Sequence, residues 1–261
     1  MKKSFGRYSE YYDLIYKGKP YKEEADFVLA RLKRHQRSIK SIIELGCGSG
    51  RHAEYLSQSG IAMTGVDLSA GMVKMAKSRA ATLPAALQKR LSFSIGDVRT
   101  FSAKKTFDAA ISLFHVASYQ TSNDDLINYL KTANKHLKKG GHFLFDFWYL
   151  PAVLHLKPST RFKKFSDKKS EVLRIAEPAM FAPQNRVDVQ YSILFRDFSR
   201  NTVEEFSETH PMRYFSDLEI DLALRSCGFK MVEVAEWMTS KDPSENSWGV
   251  YVVARKEKDC S

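Results

Sequence analysis

Six positions could hold a ligand through backbone and carboxylate groups: Gly46, Gly48 and Gly50, with Glu44 before them and Asp67 and Asp97 after. The glycines stand in Ile42-Ile43-Glu44-Leu45-Gly46-Cys47-Gly48-Ser49-Gly50. Glycine is needed where a chain turns sharply and a ligand approaches its backbone. The spacing differs from the dinucleotide fingerprint G-x-G-x-x-G, which, started at Gly46, wants its third glycine where Arg51 stands. Asp67, in Gly65-Val66-Asp67-Leu68-Ser69, could accept from two vicinal hydroxyls at once or simply cap a helix. Asp97, in Gly96-Asp97-Val98, could accept from an amino group or only start a turn. Further on, His115 and Tyr119 in Ser112-Leu113-Phe114-His115-Val116-Ala117-Ser118-Tyr119-Gln120 could move or hold a proton. For His115 a structural role at a strand end is the equal alternative. No His, Cys or carboxylate set has metal-ligand spacing, so no metal is expected.

These residues need strands that end together. Short β-branched runs at 38–46, 61–66, 91–95, 108–114 and 142–148 read as strands, the fourth apolar enough to be central in a parallel sheet. Helical patterns lie between them: Arg51 to Ser59, a helix N-capped by Ser69 that runs to Thr82, and Leu126 to Leu137 closed by Lys138-Lys139-Gly140-Gly141. Strand–helix alternation of this kind predicts a doubly wound α/β sheet. It breaks over 160–210, where period-two runs such as 187–195 and 202–208 predict an antiparallel β cap inserted after the fifth strand. Ser216 with Glu219 forms a capping box, and strands at 229–235 and 247–254 follow. The expected organisation is an N-terminal helical lid (1–37), a ligand-binding core (38–150), the cap (151–212) and a completion of the core sheet (213–256).

The E-x-G-x-G-x-G turn, the acid ending the second strand and the acidic loop after the third resemble, in that order, the motifs of class I S-adenosylmethionine-dependent methyltransferases. The resemblance implies a seven-stranded Rossmann-like sheet and S-adenosyl-L-methionine as cofactor, with S-adenosyl-L-homocysteine as product. It assigns cofactor contacts to Tyr12, Glu44, Gly46, Gly48, Asp67, Leu68, Met72, Asp97, Val98 and Leu113. The opening Tyr8-Ser9-Glu10-Tyr11-Tyr12-Asp13-Leu14-Ile15-Tyr16 and the run from Cys47 to His52 are similar to enzymes that dimethylate the amino group of nucleotide-linked deoxyamino sugars. By that likeness Tyr8 or Tyr12 forms a lid over the cofactor, with Tyr8 among the substrate contacts, and aromatic faces near a sulfonium suit a cationic electrophile. Tyr11 and Tyr16 are read as anchors of the first helix. In those enzymes a histidine lies where this chain has Tyr119, with His115 one turn earlier; both are the catalytic candidates.

Trp148 is expected on the substrate side, and Arg161, Lys163 and Lys164 could meet a diphosphate. No N/D-P-P-Y/F tetrapeptide is present, which argues against methylation of nucleic-acid bases. The chain has 261 residues, 43% hydrophobic, with 13 Gly and 8 Pro, so a collagen-like or largely disordered chain is excluded. No apolar run reaches the ~20 residues of a membrane span. Three scattered cysteines and a start without an apolar leader predict a reducing, cytoplasmic setting. The net charge of +11 concentrates in 1–40 (eleven Lys/Arg against five Asp/Glu) and 151–200 (ten against five). Such charge can meet nucleic acid, membrane or a phosphorylated small substrate. The expected partner is a small molecule, possibly a nucleotide-linked sugar, rather than nucleic acid or membrane, with the protein a monomer or homodimer. An O-methyltransferase and an RNA methyltransferase are the alternatives.

Overall fold

The computed structural model describes residues 8–260, with side chains from Tyr11 onward. Two helices, α1 (Tyr8–Ile15) and α2 (Tyr21–His35), precede the first strand. Five parallel strands follow: β1 (Ser41–Leu45), β2 (Ala62–Asp67), β3 (Leu91–Ile95), β4 (Phe107–Ser112) and β5 (Leu137–Tyr149). The crossovers carry α3 (Arg51–Gln58), α4 (Ala70–Ala81), the single turn α5 (Ala85–Gln88) and α6 (Asn123–Lys135). Their spatial order, β3-β2-β1-β4-β5, places a topological switch between β1 and β4, where ligands of open α/β sheets bind. After β5 come α7 (Leu150–Leu156), the antiparallel strands β6 (Arg161–Ser166), β7 (Ser170–Phe181), β8 (Arg186–Asp197) and β9 (Thr202–Phe215), and α8 (Asp217–Ser226). Finally β10 (Phe229–Glu236) and β11 (Gly249–Lys256) return antiparallel, β11 lying between β5 and β10 and completing a Rossmann-like sheet.

Apolar side chains on both faces of this sheet explain why helices cover both. Ile43, Phe143 and Phe145 pack with Tyr129 and Leu130 of α6 and Ile220 and Leu224 of α8. Ile42, Ile111 and Leu144 pack on the other face with Val28 and Leu32 of α2, Leu56 of α3 and Val73 of α4. The cap touches the core sheet through a short parallel contact, Trp148 with Tyr214 and Tyr149 with Phe215. Its inner face carries Val172 and Ile193 against Tyr11, Tyr12 and Ile15 of α1. The first helix is therefore held between cap and core.

Two expectations need correction. Lys138-Lys139-Gly140-Gly141 does not close a helix: α6 ends at Lys135, and Leu137 already pairs with Phe107. The four residues bulge out of β5, Gly140 taking φ +77°, and Lys138 reaches Asp108 at 2.6 Å. The fourth strand also stops early, at Ser112, because Phe114 and His115 both adopt left-handed backbone, φ +68° and +62°. Two consecutive non-glycine residues in that region are strained, and strain of this kind clusters at functional sites.

Candidate active site

The glycine turn leaves β1 with Gly46 at φ +81°, Gly48 at +52° and Gly50 at +76°. The backbone N–H groups of Gly46 and Cys47 both donate to the Val66 carbonyl, at 2.8 and 2.9 Å, which ties the turn to β2. A Cβ on Gly46 would stand 2.5 Å from Val116, whereas a Cβ on Gly48 would meet nothing within 4 Å. So Gly46 is needed for packing, and Gly48 opens onto free space.

Asp67 at the end of β2 accepts from the Gly48 N–H through Oδ2 and from the Ser69 N–H through Oδ1, both at 2.8 Å. Burial raises its pKa above the usual carboxylate value, against the pull of those two donors. Leu68, next in sequence, is 66% exposed, an apolar side chain left in the open beside a buried carboxylate. Asp97 is gripped by Arg99, whose guanidinium also reaches Asp125 at 2.6 Å; Arg99 holds the Asp97 carboxyl below its ordinary range. Val98 packs at the edge of the core, and Leu113 is buried within it in the same cluster as Ile111.

Glu44 is 1% exposed, and its Oε2 has no hydrogen-bond partner. Burial, and then the nearby Asp67 charge, push its pKa up to about 8. Its other oxygen lies 3.7 Å from His52 Nδ1; His52 Nε2 meets Glu24 at 2.7 Å, and Glu24 pairs with Lys19. Burial keeps His52 neutral by lowering its pKa. This chain of groups runs from the segment after α1 to the glycine turn. Asp13 of α1 makes the matching link, accepting from Ser49 Oγ at 3.2 Å and from Arg79 at 2.5 Å. Tyr12, beside it, is buried with Met72 of α4. An orphaned buried carboxylate oxygen, an open glycine and an exposed leucine beside a strand-end acid form a set of acceptors, apolar surface and space that S-adenosylmethionine fits.

At the end of β4, Ser112 donates to the Leu45 carbonyl at 2.6 Å. His115 then turns back on β5: its N–H donates to both oxygens of Asp146 at 3.1 Å, and its Nδ1 lies 2.8 Å from Asp146 Oδ2, off the line of a hydrogen bond. Asp146 is 1% exposed. Trp148 meets His115 edge-on at 6.3 Å and Trp248 at 5.4 Å. Tyr119 hydrogen-bonds His210 Nδ1 of β9 at 2.8 Å, and His210 Nε2 lies 3.4 Å from Glu208. Burial pushes the Tyr119 hydroxyl well above its usual pKa, so it stays protonated.

The structure thus brings His115, Tyr119 and Trp148 to one place. Arg161 stands apart, exposed on β6, and the side chain of Tyr8 lies outside the described residues. Tyr11 stacks on Phe195 of the cap at 4.1 Å. Sequence reading missed Asp146, Asp13, Glu208 and His210. Asp146 sits inside the apolar run Phe143 to Trp148, where a lone acid in a buried strand was a usable signal. Nothing in the sequence links His210 to Tyr119, 91 residues away.

Residues 42–141 match the profile of a methyltransferase domain. Over 252 residues the chain is 26% identical to a putative methyltransferase, YqeM, of Bacillus subtilis, covering 96% of each chain. It is 24% identical to dTDP-3-amino-3,4,6-trideoxy-alpha-D-glucopyranose N,N-dimethyltransferase of Streptomyces venezuelae, covering 86% of this chain and 90% of that one. Among solved structures it superposes on S-adenosylmethionine-bound CalS10, an amino pentose methyltransferase from Micromonospora echinaspora, with a TM-score of 0.74 at 22% identity, covering 98% and 99% of the two chains.

Proposed function

We propose that this chain, an S-adenosylmethionine-dependent methyltransferase of class I, methylates the amino group of a small nucleotide-linked deoxyamino sugar. The observation that carries the reading is the polar pair His115–Asp146 after β4, in a loop that the β cap reaches through the His210–Tyr119 hydrogen bond. Relatives named as dTDP-amino-sugar N,N-dimethyltransferases align over 86–95% of the chain, cap included, which supports the same acceptor class.

Bound S-adenosylmethionine supplies an electrophilic methyl group for single displacement. Glu44, Gly46, Gly48, Asp67, Leu68 and Asp97 would hold it, with Tyr12 and Met72 closing over it. The chain's remaining work is alignment and the exclusion of water. His115, steadied by Asp146, takes the proton that the amine must lose before its lone pair can attack, and the buried carboxylate stabilises the resulting imidazolium. Tyr119 orients the acceptor, its hydroxyl fixed by His210. Asp13 keeps the first helix docked on the glycine turn, so that the aromatic wall stays in place.

The test is formation of S-adenosylhomocysteine against a panel of nucleotide-linked amino sugars, their hydroxyl counterparts and bulk RNA. Turnover confined to the amino sugars supports the proposal. Turnover on the hydroxyl counterparts alone, or on RNA alone, overturns it.

A further inference from the structure

The loop after β3 holds the Asp97 side chain more firmly than its turn requires. The Asp97 carbonyl already closes that turn, accepting from the Thr100 and Phe101 N–H groups at 3.0 and 2.8 Å. Its carboxylate is held separately, by Arg99 alone among the described residues. Arg99 donates its backbone N–H and its Nε–H to Oδ1, both at 2.9 Å, and Nη2 donates to Oδ2 at 2.6 Å. Nε also lies 3.2 Å from Oδ2. On the far side of the guanidinium, Nη1 donates to Asp125 Oδ1 at 2.6 Å. Asp125 lies in the first turn of α6, and its own N–H donates to the N-cap Ser122 at 3.0 Å. The fork is therefore fixed at both ends, on the loop after β3 and on the start of α6.

A carboxylate offers about four acceptor positions, and these three N–H groups take three of them. One position on Oδ2 keeps no donor among the described residues, and the plane of the guanidinium sets its direction. The Asp97 and Arg99 side chains are 25% and 34% exposed, and an ion pair so placed adds little stability. What the grip supplies is orientation. The surroundings suit a flat ring with a donor on its edge. Asp67 pairs with Ile95 across β2 and β3, and the Gly96 N–H donates to the Asp67 carbonyl at 3.0 Å, so the two acids stand at adjacent strand ends. Leu68 and Ile95 at those ends are 66% and 58% exposed. Open apolar surface beside two carboxylates fits a nucleoside, its vicinal diol on Asp67 and the edge of its base on Asp97.

We infer that Arg99 is a positioning residue that sets base selectivity: it fixes the Asp97 carboxylate so that one acceptor position meets a 6-amino group and repels a 6-oxo group. The inference rests on the cofactor reading of Asp97 above. A carboxylate that turns freely follows whichever donor a base offers, the 6-amino group of adenine or the N1–H of hypoxanthine. A fixed one meets only the first.

The experiment is calorimetric titration with S-adenosylhomocysteine and with S-inosylhomocysteine, in which an oxygen replaces the 6-amino group. The parent should prefer the adenine form by about 10- to 100-fold, the range for a hydrogen bond to a charged group. Arg99→Ala should weaken S-adenosylhomocysteine binding and shrink the preference to within about threefold. Arg99→Lys keeps the charge without the fork, so it should recover part of the affinity and little of the preference. Asp125→Asn leaves Arg99 on Asp97 and loosens its far end, so its preference should fall between those of the parent and Arg99→Ala. A purely structural role lowers both affinities equally, so an unchanged ratio in Arg99→Ala overturns the inference. A parent that binds both forms equally overturns it too. Asp97→Ala separates the two readings. If it leaves the parent's preference intact, the cofactor reading of Asp97 fails and the inference with it. If it abolishes the preference while Arg99→Ala preserves it, only the positioning role fails.

Discussion

His115 gains its meaning from a residue 31 positions away, the buried Asp146. Its left-handed backbone is stabilised by the N–H bonds to that carboxylate, so the pair sets the loop's shape as well as the proposed chemistry. His115→Ala should lower kcat by about 100-fold or more, the usual range for loss of a positioned base. S-adenosylhomocysteine affinity, read by calorimetry, should be unchanged; a parallel loss of both would assign His115 to the cofactor instead. Tyr119→Phe keeps the ring and removes the bond to His210, so a smaller fall in kcat, with KM for the acceptor raised, is the expected result. Glu44 offers a pH signature. Its folded pKa of about 8 lies above its ordinary value of 4.5, so the folded protein holds a proton that the unfolded chain releases. The parent should therefore lose stability relative to Glu44→Gln as pH rises from about 4.5 to about 8, by a few kcal/mol in all. Urea unfolding of both proteins at pH 5 and pH 8 measures it, and a constant difference would refute the assignment.

At the scale of elements, the glycine turn separates packing from ligand space. Gly48→Ala introduces left-handed strain of about 1–2 kcal/mol without a clash. Gly46→Ala adds to that strain a methyl group 2.5 Å from Val116, in the short turn that carries His115 to Tyr119. Urea unfolding should rank Gly46→Ala as the more damaging, and its kcat should fall even at saturating cofactor because the loop carrying His115 and Tyr119 shifts. Gly48→Ala should stay folded and lose cofactor affinity. The three glycines were legible as one motif, yet their separate duties depend on what faces each, Val116 at Gly46, open space at Gly48, and Ala76 and Phe93 at Gly50. The strand alternation was equally legible. The bulge at Lys138–Gly141 was not, because a basic pair followed by two glycines has the same local preferences in a helix end and in a strand bulge.

For the whole molecule, the charge of +11 concentrates in residues 1–40 and 151–200, and the fold brings parts of both to one cleft. Acceptor KM should therefore rise with salt, between about 50 and 300 mM, while KM for S-adenosylmethionine changes little. Steady-state kinetics at fixed pH tests this, and equal salt effects on the two would disperse the charge argument. No described helix is long and apolar enough to cross a membrane.

What the sequence determined alone was whatever is encoded within one strand–turn–helix unit. The glycine spacing, the strand-end acids Asp67 and Asp97, the period-two cap and the cofactor they imply all depend on residues close together in the chain. Backbone conformation and local hydrogen bonding read such neighbours directly. Tertiary structure alone decided which distant groups meet: Asp146 with His115, His210 with Tyr119, Asp13 with Ser49 and Arg79, and Lys163 with Arg174. These pairings carry no local signature, because strand order and cap register are set by the packing of apolar faces, and the polar residues are brought together by it.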